Sequence, residues 1–210
     1  MIVRLTGSLL FMLITSAVLF SQSVSPAAHR LVDLQALIPD LVVDLPYATP
    51  QNFTGEILYP ANRALLVEPA AQALASAAAL LRAQGYRLKV WDAYRPLSVQ
   101  RKLWEKKPDR NFVASPETGS RHNRGASVDL TLVTLDGKEV AMPSRYDEFG
   151  AQARAVNPDL PEEIKKNILT LQQAMQASGF KFLASEWWHF DHPSWQNSPL
   201  LDVPLTDLAE

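Results

Sequence analysis

The stretch SRHNRGASVDLTLVTLDG, residues 120–137, decides how the chain reads. From Ser127 to Leu135 the residues alternate and are rich in β-formers, which predicts a strand. Asp136-Gly137 closes it with a turn signal. The polar residues before it, with Gly125 among them, read as a loop entering that strand. Further back, Pro108 to Gly119 is polar and reads as loop, and Pro96 opens a helix to about Lys106. Before that, Tyr86, Leu88 and Val90 alternate with Arg87 and Lys89, a strand ending at Trp91. Gly85 supplies the stop for an Ala-rich helix over Glu68–Gln84, where Leu74, Ala77, Ala78 and Leu81 recur at helical spacing and Pro69 occupies the first turn. Leu34 to Pro46 has short apolar runs broken by Pro39 and Pro46, a loop and one strand, and Asn52 to Gly55 is a turn. On the far side, Pro161 to Ser178 is the clearest helix, with Ile164, Ile168, Leu171 and Met175 at i, i+4, i+7 and i+11. Gly179 ends it, and Phe180 to Trp187 is a third strand. Helices and strands mix without regular βαβ alternation, so the fold class is α+β.

Composition narrows the function. A chain of 210 residues, 47% hydrophobic, suits one domain with a core large enough to do without staples. Twenty Lys+Arg against 22 Asp+Glu give a net charge of -2, which is no basic footprint for nucleic acid. The absence of Cys excludes Cys zinc fingers, Cys nucleophiles and lipoprotein acylation. Any metal site must therefore draw on carboxylates and 4 His.

The first 28 residues read as an address. Arg4 is their one charged residue, Leu9 to Phe20 is an uncharged apolar run, and Ser21, Ser23, Ser25, Ala27 and Ala28 follow. This is the layout of a secretory signal, with cleavage expected between Ser23 and Ala28. The run is shorter than the ~20 apolar residues of a span. Residues 7–22 approach the lower limit, so a retained anchor is the alternative. The expected organisation is a signal over 1–27 and one domain over 28–210, exported to the periplasm or another extracytoplasmic space. Removing residues 1–27 removes Arg4 and takes the net charge from -2 to -3.

Three segments concentrate reactive side chains: Trp91-Asp92-Ala93-Tyr94-Arg95-Pro96, Ser120 to Asp129, and Glu186-Trp187-Trp188-His189. Each lies at the end of an element, where sites are commonly built. Catalytic zinc takes three protein ligands and leaves a position for water. His122, Asp129 and His189 can supply the three, which leaves Glu186 free to act as a base. On an ideal strand Glu186 and His189 face opposite sides. Both reach one site only if the chain bulges near Trp187–Trp188. The odd spacing of His122 and Asp129 poses the same problem, and Gly125 can supply the turn. His192 is a possible alternative ligand, but its Asp191-His192-Pro193 setting reads as a turn. His29, at the signal exit, receives no role.

Taken together, Ser-x-His-x-x-Gly-x-x-x-Asp, Glu-x-x-His and the upstream Trp-Asp-x-Tyr-Arg-Pro resemble the D-alanyl-D-alanine dipeptidases. These are zinc peptidases best known from vancomycin resistance, sharing a fold with zinc D,D-carboxypeptidases and the hedgehog amino-terminal domain. The likeness runs from Asp44-Leu45-Pro46-Tyr47-Ala48-Thr49 through Asn52-Phe53-Thr54-Gly55 to Phe190. It implies a small central, mostly antiparallel sheet flanked by helices. It implies one zinc ion on His122, Asp129 and His189, Glu186 as catalytic base and Arg95 as stabiliser of the transition state. Ser120 and Tyr47 fall where the dipeptide is bound, Asp92 where it orients Arg95 or the loop, and Asp147 or Glu148 where the substrate amine is held. The stretch from Pro96 to Ser120 is shorter than in the resistance enzymes.

The implied activity is zinc-dependent hydrolysis of D-Ala-D-Ala to D-alanine in the cell envelope. The partner is a small peptide, without nucleic acid or stable membrane association once the signal is gone. Two alternatives stand beside it. One is an exported zinc D,D-carboxypeptidase or endopeptidase acting on peptidoglycan stems. The other is a peptidoglycan-binding module without catalysis, which the presence of Glu186 disfavours.

Overall fold

A computed structural model describes residues 29–110 and 112–206; the expected signal segment, 1–27, lies outside the described residues. In chain order the elements are β1 (Leu31–Asp33), α1 (Leu34–Leu37), β2 (Val42–Val43), β3 (Leu65–Val67), α2 (Glu68–Arg82), β4 (Tyr86–Asp92), α3 (Leu97–Lys106), β5 (Ser127–Thr134), α4 (Glu162–Ala177), β6 (Lys181–Leu183) and β7 (Glu186–Asp191), with short 3₁₀ turns between them. Five strands form a sheet in the order β2-β4-β5-β7-β6, and β1 and β3 form a separate pair. Within the five, β2 runs parallel to β4 and every other pairing is antiparallel. The fold is thus α+β around a small, mostly antiparallel sheet, as expected.

Helix α2 buries Ala70, Ala71, Leu74, Ala77, Ala78 and Leu81, and lies against α4, β4 and β3. Small alanines let these elements approach closely, while each buried leucine contributes about 1.5–3 kcal/mol of transfer free energy. Strand β5 occupies the centre of the sheet and is buried along nearly its whole length. Its alternation separates two covered faces rather than a core face and a wet one. Val128, Leu130 and Leu132 join the hydrophobic core, while Ser127, Asp129 and Thr131 are polar yet buried. Buried polar groups need partners, so this second face must carry groups that satisfy them.

The expected strand over Phe180–Trp187 is a hairpin instead. Ala184 and Ser185 make its turn, and the second strand continues to Asp191. No Gly, Asn or Asp marks that turn, so the residues around it read as one continuous run. The β6/β7 register shifts between Phe182 and Leu183, the bulge that the spacing of Glu186 and His189 required. A second shift, between Val90 and Asp92, occurs where β4 meets β5. Beyond it Asp92 sits across from Asp129, and Asp129 sits across from His189 on β7. Three neighbouring strands therefore carry their reactive side chains at one level of the sheet.

Candidate metal centre and catalytic cavity

His122 reaches this level from a 3₁₀ turn that ends at Gly125, whose φ is +62°. This left-handed conformation suits glycine. A Cβ there would also press on Leu31 and Val67. The reversal swings His122 back over β5 despite its odd spacing from Asp129.

The three expected ligands converge. His189 Nδ1 lies 2.9 Å from Asp129 Oδ1 and 3.2 Å from His122 Nε2, and His122 Nε2 lies 3.4 Å from Asp129 Oδ1. Donors on a tetrahedral zinc with bonds of ~2.0–2.1 Å stand about 3.4 Å apart, so these three fit one such ion with little adjustment. The remaining polar atom of each ligand is engaged. His122 Nδ1 is 2.7 Å from the Ala93 carbonyl. Since a carbonyl only accepts, Nδ1 carries the hydrogen and Nε2 keeps its lone pair. Asp129 Oδ2 accepts the Tyr146 hydroxyl at 3.0 Å. His189 Nε2 donates to Asp191 Oδ1 at 2.9 Å. Asp191 is in turn held by the Ser127 hydroxyl and the Arg121 guanidinium. Each ligand is thus oriented from behind, as metal-binding imidazoles usually are.

The electrostatics agree. Burial alone would raise Asp129, but His122 and His189 outweigh it and hold the carboxyl well below the usual range. Burial would lower His189, but its hydrogen bonds to Asp129 and Asp191 push it up to about 10. A proton and a metal ion therefore compete for Nδ1, and metal affinity falls as pH falls. Replacing Asp191 with Asn removes the charge behind His189 while keeping an acceptor. Zinc affinity should drop roughly 10–100-fold, read by competition with a chromogenic chelator. Unchanged affinity would show that Asp191 serves packing alone.

Glu186 Oε2 lies 4.0 Å from His189 Nδ1, close to the cluster but outside it, and burial raises its pKa. One cavity of about 410 Å³ is lined by Glu186 and the three ligands together with Arg95, Tyr47, Ser120 and Asp147. Arg95 is 8% exposed. Its Nε and Nη2 bond Asp92 Oδ2, and Nη1 bonds Gln100 at 2.9 Å. The guanidinium thus spans Asp92 and Gln100, interacts with Tyr59 as well, and still lines the cavity. Asp92 is fully buried and spends Oδ1 on the Tyr59 hydroxyl and the Ala93 amide. It therefore sits behind Arg95, outside the residues that line the cavity, where it can orient the guanidinium.

Asp147 and Glu148 part company. Asp147 accepts the Tyr47 hydroxyl at 2.8 Å and faces the cavity, whereas Glu148 is exposed and accepts the Arg145 amide. Burial, with Asp129 and Asp92 nearby, raises Asp147 to about 7 against the opposing pull of Tyr47 and Arg95. Its φ of +58° is the one positive value outside glycine among the described residues. Such strain concentrates at functional sites. Ser120 lines the cavity and accepts the His122 amide through its hydroxyl. His192 stays apart, capping the turn at Ser194.

Sequence reasoning missed Asp191, Ser127, Arg121 and Tyr146. The i, i+2 spacing of His189 and Asp191 on a strand was a usable signal. Nothing local indicated that Tyr146 would reach Asp129.

Converging nitrogen and oxygen donors with a partly buried carboxyl just beyond them define the class as a metal-dependent hydrolase. The family model for peptidase M15, D-Ala-D-Ala dipeptidase, matches residues 27–205, and the chain belongs to that family. A D-alanyl-D-alanine dipeptidase of Escherichia coli (strain K12) is 39% identical over 172 residues, covering 82% of this chain and 89% of that protein. Another from Enterococcus faecium is 33% identical over 171 residues, covering 70% and 83%. A solved vancomycin resistance D,D-pentapeptidase in complex with Zn(II) aligns with 64% of this chain and 76% of its own, at 16% identity and a TM-score of 0.43.

Proposed function

We propose that the protein hydrolyses the dipeptide D-Ala-D-Ala to free D-alanine with one zinc ion, after export to the cell envelope. The observation that carries this is the convergence of His122, Asp129 and His189 beside Glu186 in a chain of this family. His122, Asp129 and His189 would hold the zinc, which would supply Lewis acidity and a water of lowered pKa, toward ~7. Glu186 takes a proton from the attacking water and returns it to the leaving nitrogen. Arg95, a fixed cation lining the cavity, receives the developing oxyanion. Asp147 holds the substrate ammonium, with Tyr47 keeping its carboxylate in place, and Ser120 contributes a polar contact along the dipeptide.

Export rests on the signal-like residues before Ala28. No helix of the described residues is long and apolar enough to cross a membrane. A D,D-carboxypeptidase would need room for a stem peptide beyond Asp147. The Tyr47–Asp147 bond stands on that side, which favours the dipeptidase.

The purified protein should release D-alanine from D-Ala-D-Ala, but not from L-Ala-L-Ala or from a pentapeptide ending in D-Ala-D-Ala. Chelation should stop the reaction and zinc restore it. Turnover of the pentapeptide at a comparable rate would move the assignment to a carboxypeptidase. A fusion of residues 1–28 to a reporter active only outside the cytoplasm tests export.

A further inference from the structure

We infer that Phe53 determines specificity by walling off the amine end of the catalytic cavity, so that peptides extended beyond the substrate amine are refused. This rests on the proposed dipeptidase reading and on Asp147 holding the ammonium.

The cavity has a neighbour of about 570 Å³. Phe53 and Asp147 line both spaces. A peptide lengthened at its amine continues from the nitrogen held by Asp147, so its next residue must pass these two side chains. Room exists on the other side, among Trp91, Met142, Val140 and Pro46. What blocks the passage is the Phe53 ring, which meets the Tyr47 ring edge-on at 6.1 Å.

The placement of Phe53 is not explained by core packing. Its residue is 38% exposed, so burial supplies only part of the usual gain for a phenylalanine. Its loop is nevertheless fixed. Asn52 Nδ2 donates to the Pro46, Thr49 and Glu56 carbonyls, and Asn52 Oδ1 accepts from the Thr54 amide and hydroxyl. One side chain ties the loop to itself and to the turn that carries Tyr47. A loop stiffened in this way around a half-wet aromatic ring is built to hold that ring in position.

Charge selects as well, because acylating the amine removes the partner of Asp147. Gly-D-Ala-D-Ala keeps an ammonium and only moves it outward, so it reports on the wall. In Phe53→Ala the ratio of kcat/KM for Gly-D-Ala-D-Ala to that for D-Ala-D-Ala should rise about tenfold or more, and Phe53→Trp should not raise it. A ratio in Phe53→Ala within about twofold of the unaltered protein, with dipeptide turnover present, overturns the inference. Should the unaltered protein fail to turn over D-Ala-D-Ala, the dipeptidase reading falls, and calorimetric titration with Gly-D-Ala-D-Ala decides the wall separately. Binding to Phe53→Ala and not to the unaltered protein supports it. Equal binding, or none to either, overturns it.

Discussion

Glu186→Gln should lower kcat by roughly 10²–10⁴-fold, the usual contribution of a positioned acid–base group. Zinc content and thermal unfolding should stay close to those of the unaltered protein. Glutamine preserves the shape of the side chain and can occupy the same partly buried site, but it cannot take up a proton. The geometry places Glu186 Oε2 4.0 Å from His189 Nδ1, at the edge of the cluster, yet outside the group of donors that all lie within 4.8 Å of one another. Burial raises the Glu186 pKa. The base must be ionised to act, so the acidic limb of the kcat/KM profile, which reports the free enzyme, should lie above the range of an ordinary glutamate. Rates measured against pH with D-Ala-D-Ala, alongside metal analysis of both proteins, check this. Full turnover in Glu186→Gln would remove the assigned base. Loss of zinc together with activity would make Glu186 a ligand instead.

The three long helices and strands β4 and β5 were legible in the sequence because their signals are local, whereas the one-turn helix α1 fell in a stretch read as loop and strand. Leu74, Ala77, Ala78 and Leu81 mark one face of α2, and Tyr86, Leu88 and Val90 mark one side of β4. The metal cluster was legible for a different reason: with no Cys and 4 His, few residues could form it. What pattern reading could not supply was register. His122 and Asp129, like Glu186 and His189, are spaced for opposite faces. A left-handed Gly125 brings the first pair together and a bulge in β7 the second. Such irregularities cost local regularity that tertiary contacts repay, so they leave little trace in periodicity. The support behind the ligands was hidden for the same reason. Asp191 and Tyr146 act through contacts fixed by pairing and loop packing, across 2 and 17 residues. The hairpin turn at Ala184-Ser185 carries no turn residue of the usual kind, and so one predicted strand became two.

Arg95 tests whether the cavity works as one unit, because its side chain has two separable duties. The role the resemblance implies for Arg95, stabiliser of the transition state, predicts that Arg95→Ala loses turnover, and its ion pair with Asp92 predicts a second effect. The structure shows the pair buried, with Asp92 at 0% exposure and Arg95 at 8%. Removing one partner of a buried pair leaves an uncompensated charge, which typically costs about 3–5 kcal/mol. Arg95→Ala should therefore lose both stability and activity, the latter by about 10²–10³ if the guanidinium receives the oxyanion. Adding Asp92→Asn to Arg95→Ala separates the duties. Neutralising the stranded carboxyl should recover much of the thermal stability, while turnover of D-Ala-D-Ala stays low because the donor is still missing. Arg95→Lys should fall between the two. It keeps a positive charge for Asp92, but a single ammonium cannot span Asp92 and Gln100 and also face the cavity as the planar guanidinium does. Recovery of kcat together with stability in the double variant would reduce Arg95 to a structural ion pair. In that case the oxyanion would have to be held by another group lining the same cavity.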